Sequence, residues 1–283
     1  MTNYDIRYEA ENTYRLPVNE ALFAFMVLPA PGDTQLVNQV QIENSRNQPT
    51  FSSRNAFGFE VIFLRVAEPF TRLQFIMRCA VRRSTQRVLP DLSRSKSPQE
   101  EQKLLTDERF LVEHYWYVQP TPLTTLPGSS IPDAWAYRYD RPLLEYAQFL
   151  TQEVYTRMTY QAAVTTTYTR ADELLANPRG VCQDYSHLML GVLRHYRVPC
   201  RYVSGYLNQG KQFVGATQLH AWVEVFVPGL GWTGFDPTNN LLADQHHLKI
   251  AHGRDYTDCP PLRGHINPGG LNTTEHVVRV VEQ

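Results

Sequence analysis

The strongest constraint on the fold is a change in hydrophobic periodicity partway along the chain. The first ninety residues carry aromatic and β-branched runs separated by Pro, Gly and Asn clusters, and Arg72–Arg78 largely alternates apolar with polar residues, as a half-buried strand does. From Leu143 onward the apolar residues recur in steps of three and four, which indicates an amphipathic helix. We therefore expect an α+β chain, with an all-β sandwich at residues 1–92 and helices packed on a sheet at residues 136–283.

The boundary between the two parts is placed in a polar stretch. Residues 82–102 are rich in Arg, Ser, Gln, Glu and Pro and lack the apolar side chains needed for a core. A Pro-rich stretch follows at 120–132. We expect residues 93–135 to be a linker and connecting segment.

Three helices are predicted in the second part. The first covers residues 143–158 and has Pro142 at its first turn. The second begins with Thr169 as N-cap and stops at Asn177, because the following proline disfavours helical backbone. The third runs from about residue 182 to 196.

Cys182 lies in the sequence Gly-Val-Cys-Gln-Asp, in the first turn of the third helix. A thiolate is stabilised by a helix N-terminus and by a nearby imidazolium, and a stabilised thiolate is a nucleophile. Cys182 is therefore the candidate nucleophile. The other cysteines, at 79, 200 and 259, form no CxxC pair, so we expect four free thiols, with neither a disulfide framework nor a cysteine zinc site.

A strand is predicted at Leu219–Phe226, and its two faces differ. Successive side chains of a strand point to opposite sides. The uniformly apolar face should enter a core; it comprises Leu219, Ala221, Val223 and Val225. The other face should border an open site; it comprises His220, Trp222, Glu224 and Phe226.

The strand turns back through a Val227-Pro228-Gly229 sequence, and the turn sets the register. A three-residue loop with Gly229 in the left-handed conformation pairs Phe226 with Leu230, which places His220 opposite Asp236. A two-residue loop would instead place Asp236 opposite Val223. We favour the three-residue loop, which makes Cys182, His220 and Asp236 a candidate triad.

Such a triad carries out acyl transfer. The Cys182 Sγ attacks an amide carbonyl, His220 moves the proton, and Asp236 orients the imidazole. The Cys182 N–H would meet the oxyanion together with a second donor, for which Gln183 and Trp222 are candidates. Asp184, Gln183 and Trp222 are the candidate residues for binding substrate around the thiol.

Three stretches carry a family resemblance. GVCQDYSHLMLGVLRHYRVPCRYVSGYL, HAWVEVFVPGLGWTGFDPTNN and GRDYTDCPPLRG resemble the core of bacterial transglutaminase-like proteins, many of them described as candidate cysteine proteases. The N-terminal stretches YDIRYEAENTYRLPV and RNAFGFEV resemble the β-sandwich domain that precedes this core in the family. The resemblance implies a papain-like fold and assigns the family's Cys, His and Asp to Cys182, His220 and Asp236.

The resemblance leaves the reaction open. Hydrolysis of a peptide or isopeptide bond, as in a cysteine protease or amidase, is our first expectation. The alternatives are transglutaminase-type transfer to an amine and a non-catalytic module that binds peptides or proteins. No calcium-binding loop of the EF-hand type is present, so we expect no calcium activation and no cofactor.

Charge and composition restrict the classes of molecule that the chain is expected to bind. The net charge is -1, which provides no basic surface for a phosphate backbone, so we expect a peptide or protein substrate rather than nucleic acid. We expect no signal peptide, and no apolar run approaches the roughly 20 residues needed to cross a bilayer. We expect a cytoplasmic protein with no membrane association.

The C-terminal histidines include residue types that bind metals. His246, His247 and His252 occur near Asp244 and Asp255, and two histidines with a carboxylate can bind zinc. No HExxH or His-x-His spacing is present, so we expect no metal site. His187, five residues after Cys182, is expected to be structural.

Overall fold

The computed structural model describes residues 1–84, 92–208, 218–268 and 270–283. The strands in these ranges are β1 (Thr2–Val18), β2 (Glu20–Phe25), β3 (Gln35–Asn44), β4 (Thr50–Arg54), β5 (Glu60–Val66), β6 (Phe70–Arg83), β7 (Thr159–Tyr160), β8 (Arg179–Gly180), β9 (Cys200–Leu207), β10 (Leu219–Val227), β11 (Gly231–Asp236), β12 (Leu241–Leu242), β13 (His247–Gly253), β14 (Leu262–Asn267) and β15 (Asn272–Glu282). The α-helices are α1 (Pro98–Leu105), α2 (Glu108–Glu113), α3 (Tyr115–Val118), α4 (Leu143–Arg157), α5 (Ala171–Ala176) and α6 (Cys182–His195). Short 3₁₀ turns lie at Leu92–Arg94, Gly128–Ser130, Asp133–Trp135 and Tyr256–Asp258.

The N-terminal part is the predicted β-sandwich, and with the helices that follow it confirms the α+β class. Its sheets have the strand orders β15-β1-β6-β3 and β14-β2-β5-β4. Along β1, Tyr4, Ile6 and Tyr8 are buried and the residues between them point outward. The sheets meet where the rings of Phe25 and Phe75 stack 3.7 Å apart. Burying each such side chain contributes about 1.5–3 kcal/mol.

The sandwich is completed by the end of the chain. Strand β14 pairs antiparallel with β2, and β15 pairs antiparallel with β1 from Tyr4 opposite Glu282 to Tyr14 opposite Asn272. These two strands were expected to belong with the core at residues 136–283. They join the sandwich instead, as edge strands beside β1 and β2.

Residues 93–135, expected to be a linker, contain helices α1, α2 and α3. Ser97 and Glu100 form a capping box at the start of α1. Glu101 on α1 is fully buried and accepts the Leu143 N–H at 2.6 Å, which attaches α1 to the start of α4. Residues 85–91, part of the stretch used to place the domain boundary, lie outside the described residues.

The core is a five-stranded antiparallel sheet in the order β12-β11-β10-β9-β13, with α6 packed against β9 and β10. Helices α4 and α6 end within one residue of their predicted ends. Helix α5 begins at Ala171 rather than after Thr169, because the Thr169 hydroxyl accepts the Thr166 N–H at 3.0 Å. No helix in the described ranges is long and apolar enough to cross a bilayer.

The β10–β11 hairpin has a three-residue loop, but not the predicted register. The loop is 228–230, and Gly229 has the expected left-handed backbone, with φ +87°. Phe226 lies opposite Trp232 instead of Leu230, so the predicted pairing of His220 with Asp236 is wrong by two positions. Because side chains alternate between the two faces of a sheet, a shift of two residues leaves every side chain on its predicted face.

The two faces of β10 are both covered. Ala221, Val223 and Val225 are buried in the core, as predicted. The opposite face was expected to border an open site, which is wrong for His220 and Trp222, with 1% and 2% of their surface exposed. Farther along this face, α2 covers the strand: the ring of Phe226 lies 5.7 Å from that of Phe110 and 4.5 Å from that of His114, just after α2.

Candidate active site

Cys182 is the first residue of α6, which confirms its predicted place in the first turn of the helix, and it is half-buried. The first N–H groups of a helix have no intrahelical acceptor, so the N–H groups of Cys182 and Gln183 lie at the positive end of the helix. Asp184 fixes this end. Its buried Oδ2 accepts the Val181 N–H and the Thr165 hydroxyl, both at 2.7 Å.

The Pro-rich segment contacts α6 at a distance from Cys182. Thr124 and Leu126 pack on Gly191, where an added Cβ would lie 2.8 Å from the Thr124 carbonyl oxygen. Arg194 binds the Thr124 hydroxyl at 2.8 Å. Gly191 is nine residues after Cys182, about 13 Å along the helix axis. The segment therefore packs on the far half of α6.

His220 and Asp236 are joined by a hydrogen bond between Nε2 and Oδ2, at 2.7 Å. Both side chains are fully inaccessible to solvent. In the observed register the two residues are diagonal neighbours on one face of β10 and β11, which is within reach of side chains of this length. The contact predicted from the hairpin is present although the pairing is different.

Asp236 accepts hydrogen bonds from four further donors. The N–H groups of Thr238 and Asn239 bind Oδ1 at 3.0 and 3.3 Å, while Asn239 Nδ2 and His247 Nε2 bind Oδ2 at 2.8 and 3.3 Å. Burial alone would raise the pKa of Asp236, but the charge and hydrogen bond of His220, together with the contact from His247, lower it well below its ordinary value. Asp236 is therefore a buried carboxylate anion at neutral pH.

The imidazole of His220 is held in its charged form. Burial by itself lowers the pKa of His220, but the charge and hydrogen bond of Asp236, and to a smaller extent the Cys182 side chain, raise it to about 10. Nε2 is taken by Asp236, and Nδ1 is buried with no hydrogen-bond partner among the described residues. Nδ1 is therefore the nitrogen left to interact with the Cys182 thiol.

The three candidate substrate-binding residues have different environments. Gln183 is 8% exposed beside Cys182 on the first turn of α6. Asp184 is fully buried and accepts hydrogen bonds within the protein, so its carboxylate supports the helix start. The Trp222 ring lies 5.3 Å from that of His247 and 6.3 Å from that of His220, so it packs behind the histidines and does not line an open groove.

The other cysteines are buried, and all four are free thiols, as expected. Burial raises the pKa of Cys79 to about 12 and that of Cys200 to about 11, and it raises the pKa of Cys259 well above its ordinary value. These three thiols stay protonated at neutral pH. Among the cysteines, only Cys182 lies beside a histidine with a raised pKa.

The C-terminal histidines separate into three environments. His246 binds the Tyr4 hydroxyl at 3.3 Å, His252 binds the Tyr117 hydroxyl at 3.1 Å, and His247 binds Asp236. Among the described residues, the ligand atoms that converge as a metal site would require are those of His220, Asp236 and His247, within 4.8 Å of one another. Both histidines are already hydrogen-bonded to Asp236.

Two residues at the site escaped sequence reasoning. Asn239 follows Asp236 by three positions, and an aspartate that accepts N–H groups two and three residues ahead is a known turn pattern that could have indicated it. For His247 the sequence suggests a role only as a metal ligand. His187 is structural as expected: its Nε2 accepts the Tyr256 N–H at 3.2 Å, and burial lowers its pKa to about 4.

Residues 133–237 match the family model of the transglutaminase-like superfamily. This stretch contains Cys182, His220 and Asp236. The chain therefore carries a transglutaminase-like core.

Relatives match the chain over part of its length. An uncharacterized protein of Mycobacterium tuberculosis is 40% identical over 142 residues, which cover 47% of this chain and 45% of that protein. A protein-glutamine gamma-glutamyltransferase of Pseudomonas aeruginosa is 39% identical over 81 residues, 26% of this chain and 12% of that protein. The matches span less than half the length of these relatives.

One solved structure resembles the whole chain. It is described as a candidate cysteine protease from Cytophaga hutchinsonii, and the match covers 99% of this chain and 90% of that chain with a TM-score of 0.77. The sequences are 17% identical, so the likeness is one of fold. It includes both the sandwich and the core.

Proposed function

We propose that this chain is a thiol-dependent acyl-transfer enzyme that hydrolyses a peptide or isopeptide bond, as a cysteine protease or amidase does. The observation that carries the proposal is the buried pair of His220 and Asp236, with Nδ1 of the imidazole left for the Cys182 thiol. A histidine with a pKa of about 10 is protonated at neutral pH and stabilises a thiolate beside it. The positive end of α6 adds to that stabilisation.

The reaction takes place in two steps. The Cys182 thiolate forms a bond to the carbonyl carbon, and as the C–N bond breaks the amine leaves with the proton of His220. A water molecule then gives its proton to His220 and its oxygen to the thioester carbon. The C–S bond breaks, the carboxylic acid leaves, and the thiolate–imidazolium pair is restored.

The oxyanion of each tetrahedral intermediate needs preorganised donors. The N–H groups of Cys182 and Gln183 suit this role, since both lie in the first turn of α6. Trp222 is a weaker candidate, because it lies inside the sheet opposite Val203. Asp236 has five donors around it, so it holds the imidazole orientation through both steps.

Transfer to an amine is the second candidate. The glutamyltransferase of Pseudomonas aeruginosa named above supports it, because its matching segment is 39% identical to this chain. The two reactions share the acyl-enzyme and differ in whether water or an amine attacks it. A fluorescent primary amine added with a casein substrate distinguishes them: transfer labels the casein, and hydrolysis does not.

Alkylation tests the proposal without a known substrate. The rate of iodoacetamide labelling of each cysteine is measured by mass spectrometry between about pH 5 and 9. We expect Cys182 to react far faster than Cys79, Cys200 and Cys259 at about pH 6, and this advantage to disappear in His220→Gln. Equal labelling of all four cysteines in the folded protein would contradict the proposal and favour a non-catalytic binding module.

A further inference from the structure

A second histidine touches the same carboxylate oxygen as His220. His247 Nε2 lies 3.3 Å from Asp236 Oδ2, and the His247 side chain is 1% exposed. His247 begins β13, an edge strand that β9 and β10 separate from β11, and its ring lies 6.3 Å from that of His220. The fold thus brings two imidazoles to one oxygen from different strands.

The surroundings of His247 determine which nitrogen carries a proton. The Asp244 main-chain N–H donates to Nδ1 at 3.1 Å, which requires a lone pair on Nδ1 and a proton on Nε2. Asp244 Oδ1 also lies 3.1 Å from Nδ1, so protonation there would give an imidazolium between two carboxylates. In both states Nε2 carries a proton and donates to Asp236. The neutral tautomer with its proton on Nδ1 would bind Asp244 Oδ1, but it would remove the lone pair that accepts the Asp244 N–H and would set the Nε2 lone pair against Asp236.

We propose that His247 is a positioning residue that fixes Asp236, and through it the imidazole of His220, by donating from Nε2. The inference rests on the proposed function. Three donors meet at Oδ2, from His220, His247 and Asn239, while main-chain N–H groups hold Oδ1. Without His247 the carboxylate loses its link to β13 and can rotate away from His220.

The test is the pH profile of Cys182 alkylation by iodoacetamide in the full chain. The titratable groups that face the His247 ring are Asp236 on β11, His220 on β10 and Asp244 in the turn before β13. We expect His247→Ala to slow labelling of Cys182 at about pH 6 by about tenfold, the factor that one hydrogen bond to a charged group contributes. The midpoint of the profile should move to higher pH.

Two further variants separate positioning from packing. The Nε2 of glutamine occupies nearly the place of the histidine Nε2, so His247→Gln should stay within about threefold of the wild type, the span of a weakened hydrogen bond. Asparagine is too short to reach Asp236, so His247→Asn should resemble His247→Ala. This pair keeps the test decisive if the alanine variant fails to fold. His276→Gln, which alters a histidine bound to the Tyr8 hydroxyl in the sandwich, is the control and should leave the profile unchanged.

The failures of the two proposals are distinguishable. If wild-type Cys182 reacts no faster than the buried cysteines, the proposed function fails. If Cys182 is selective and depends on His220, but folded His247→Asn retains the wild-type profile, only the role of His247 is overturned. An equal loss in His247→Gln and His247→Asn would likewise overturn the donor role.

Discussion

Gly180 and Asp184 are in contact so close that a Cβ on Gly180 would lie 2.3 Å from Asp184 Oδ2. That oxygen cannot move aside freely, because it accepts hydrogen bonds from Val181 and Thr165. The contact joins the residue two positions before Cys182 to the residue two positions after it. It therefore fixes the start of α6, where the thiol lies.

Gly180→Ala should destabilise the protein by about 1–3 kcal/mol, the usual cost of overpacking a buried site. Displacing Asp184 should also lower the alkylation rate of Cys182. Urea unfolding measures the first effect. Gly32→Ala is the control, because nothing lies within 4 Å of its added Cβ; a change within about 0.5 kcal/mol is expected there. Equal effects at both glycines would contradict the packing argument.

Glu224 on β10 is the carboxylate of a largely buried cluster of charged side chains. Its two cationic partners lie on β9 and β13 of the same sheet. Its Oε2 binds Arg201 Nε at 2.5 Å and Lys249 Nζ at 2.7 Å. Glu224→Gln leaves two buried cations without their anion, so we expect a loss of about 3–5 kcal/mol in the free energy of unfolding. Glu20→Gln, which breaks the exposed pair with Arg65, should cost less than about 1 kcal/mol. Urea unfolding of both variants gives the comparison, and similar losses would refute it.

The raised pKa of His220 predicts a pH dependence of stability. A histidine whose pKa rises to about 10 on folding stabilises the fold fully below its ordinary value near 6.5 and loses that contribution as the pH rises through about 10. One extra proton bound by the folded state gives a slope of at most about 1.4 kcal/mol per pH unit. The stability difference between the wild type and His220→Gln should therefore shrink from pH 7 to pH 10. A constant difference would mean that His220 is not charged in the fold.

The buried carboxyl group of Glu101 predicts a second pH dependence of stability. Burial raises its pKa, more than the hydrogen bond from Leu143 lowers it. A carboxyl group whose pKa rises on folding costs stability as the pH increases, so Glu101→Gln should gain stability relative to the wild type between pH 4 and pH 8. Glu101→Ala leaves the Leu143 N–H without its acceptor and should lose about 1–3 kcal/mol at either pH. Thermal unfolding at the two pH values measures both effects.

The β10–β11 hairpin shows which features local sequence patterns predict and which they do not. The alternation of β10 predicts which side chains share a face, and that result survives a two-residue error in register because the side-chain period is two. The register itself depends on which residues close the loop. Gly231, also left-handed at φ +80°, pairs with Val227 and moves the turn one residue along the chain.

The sequence by itself determined the α+β class, the limits of α4 and α6, and the residue types of the site, because these depend on periodicity and on short motifs around Cys182, His220 and Asp236. The tertiary structure decided the contacts between residues that lie far apart in the sequence. The return of β14 and β15 to the sandwich, the burial of the His220 face and the contact of His247 with Asp236 all depend on packing between elements far apart in sequence. No local pattern encodes such contacts, since their free energy comes from surfaces that meet only in the folded chain.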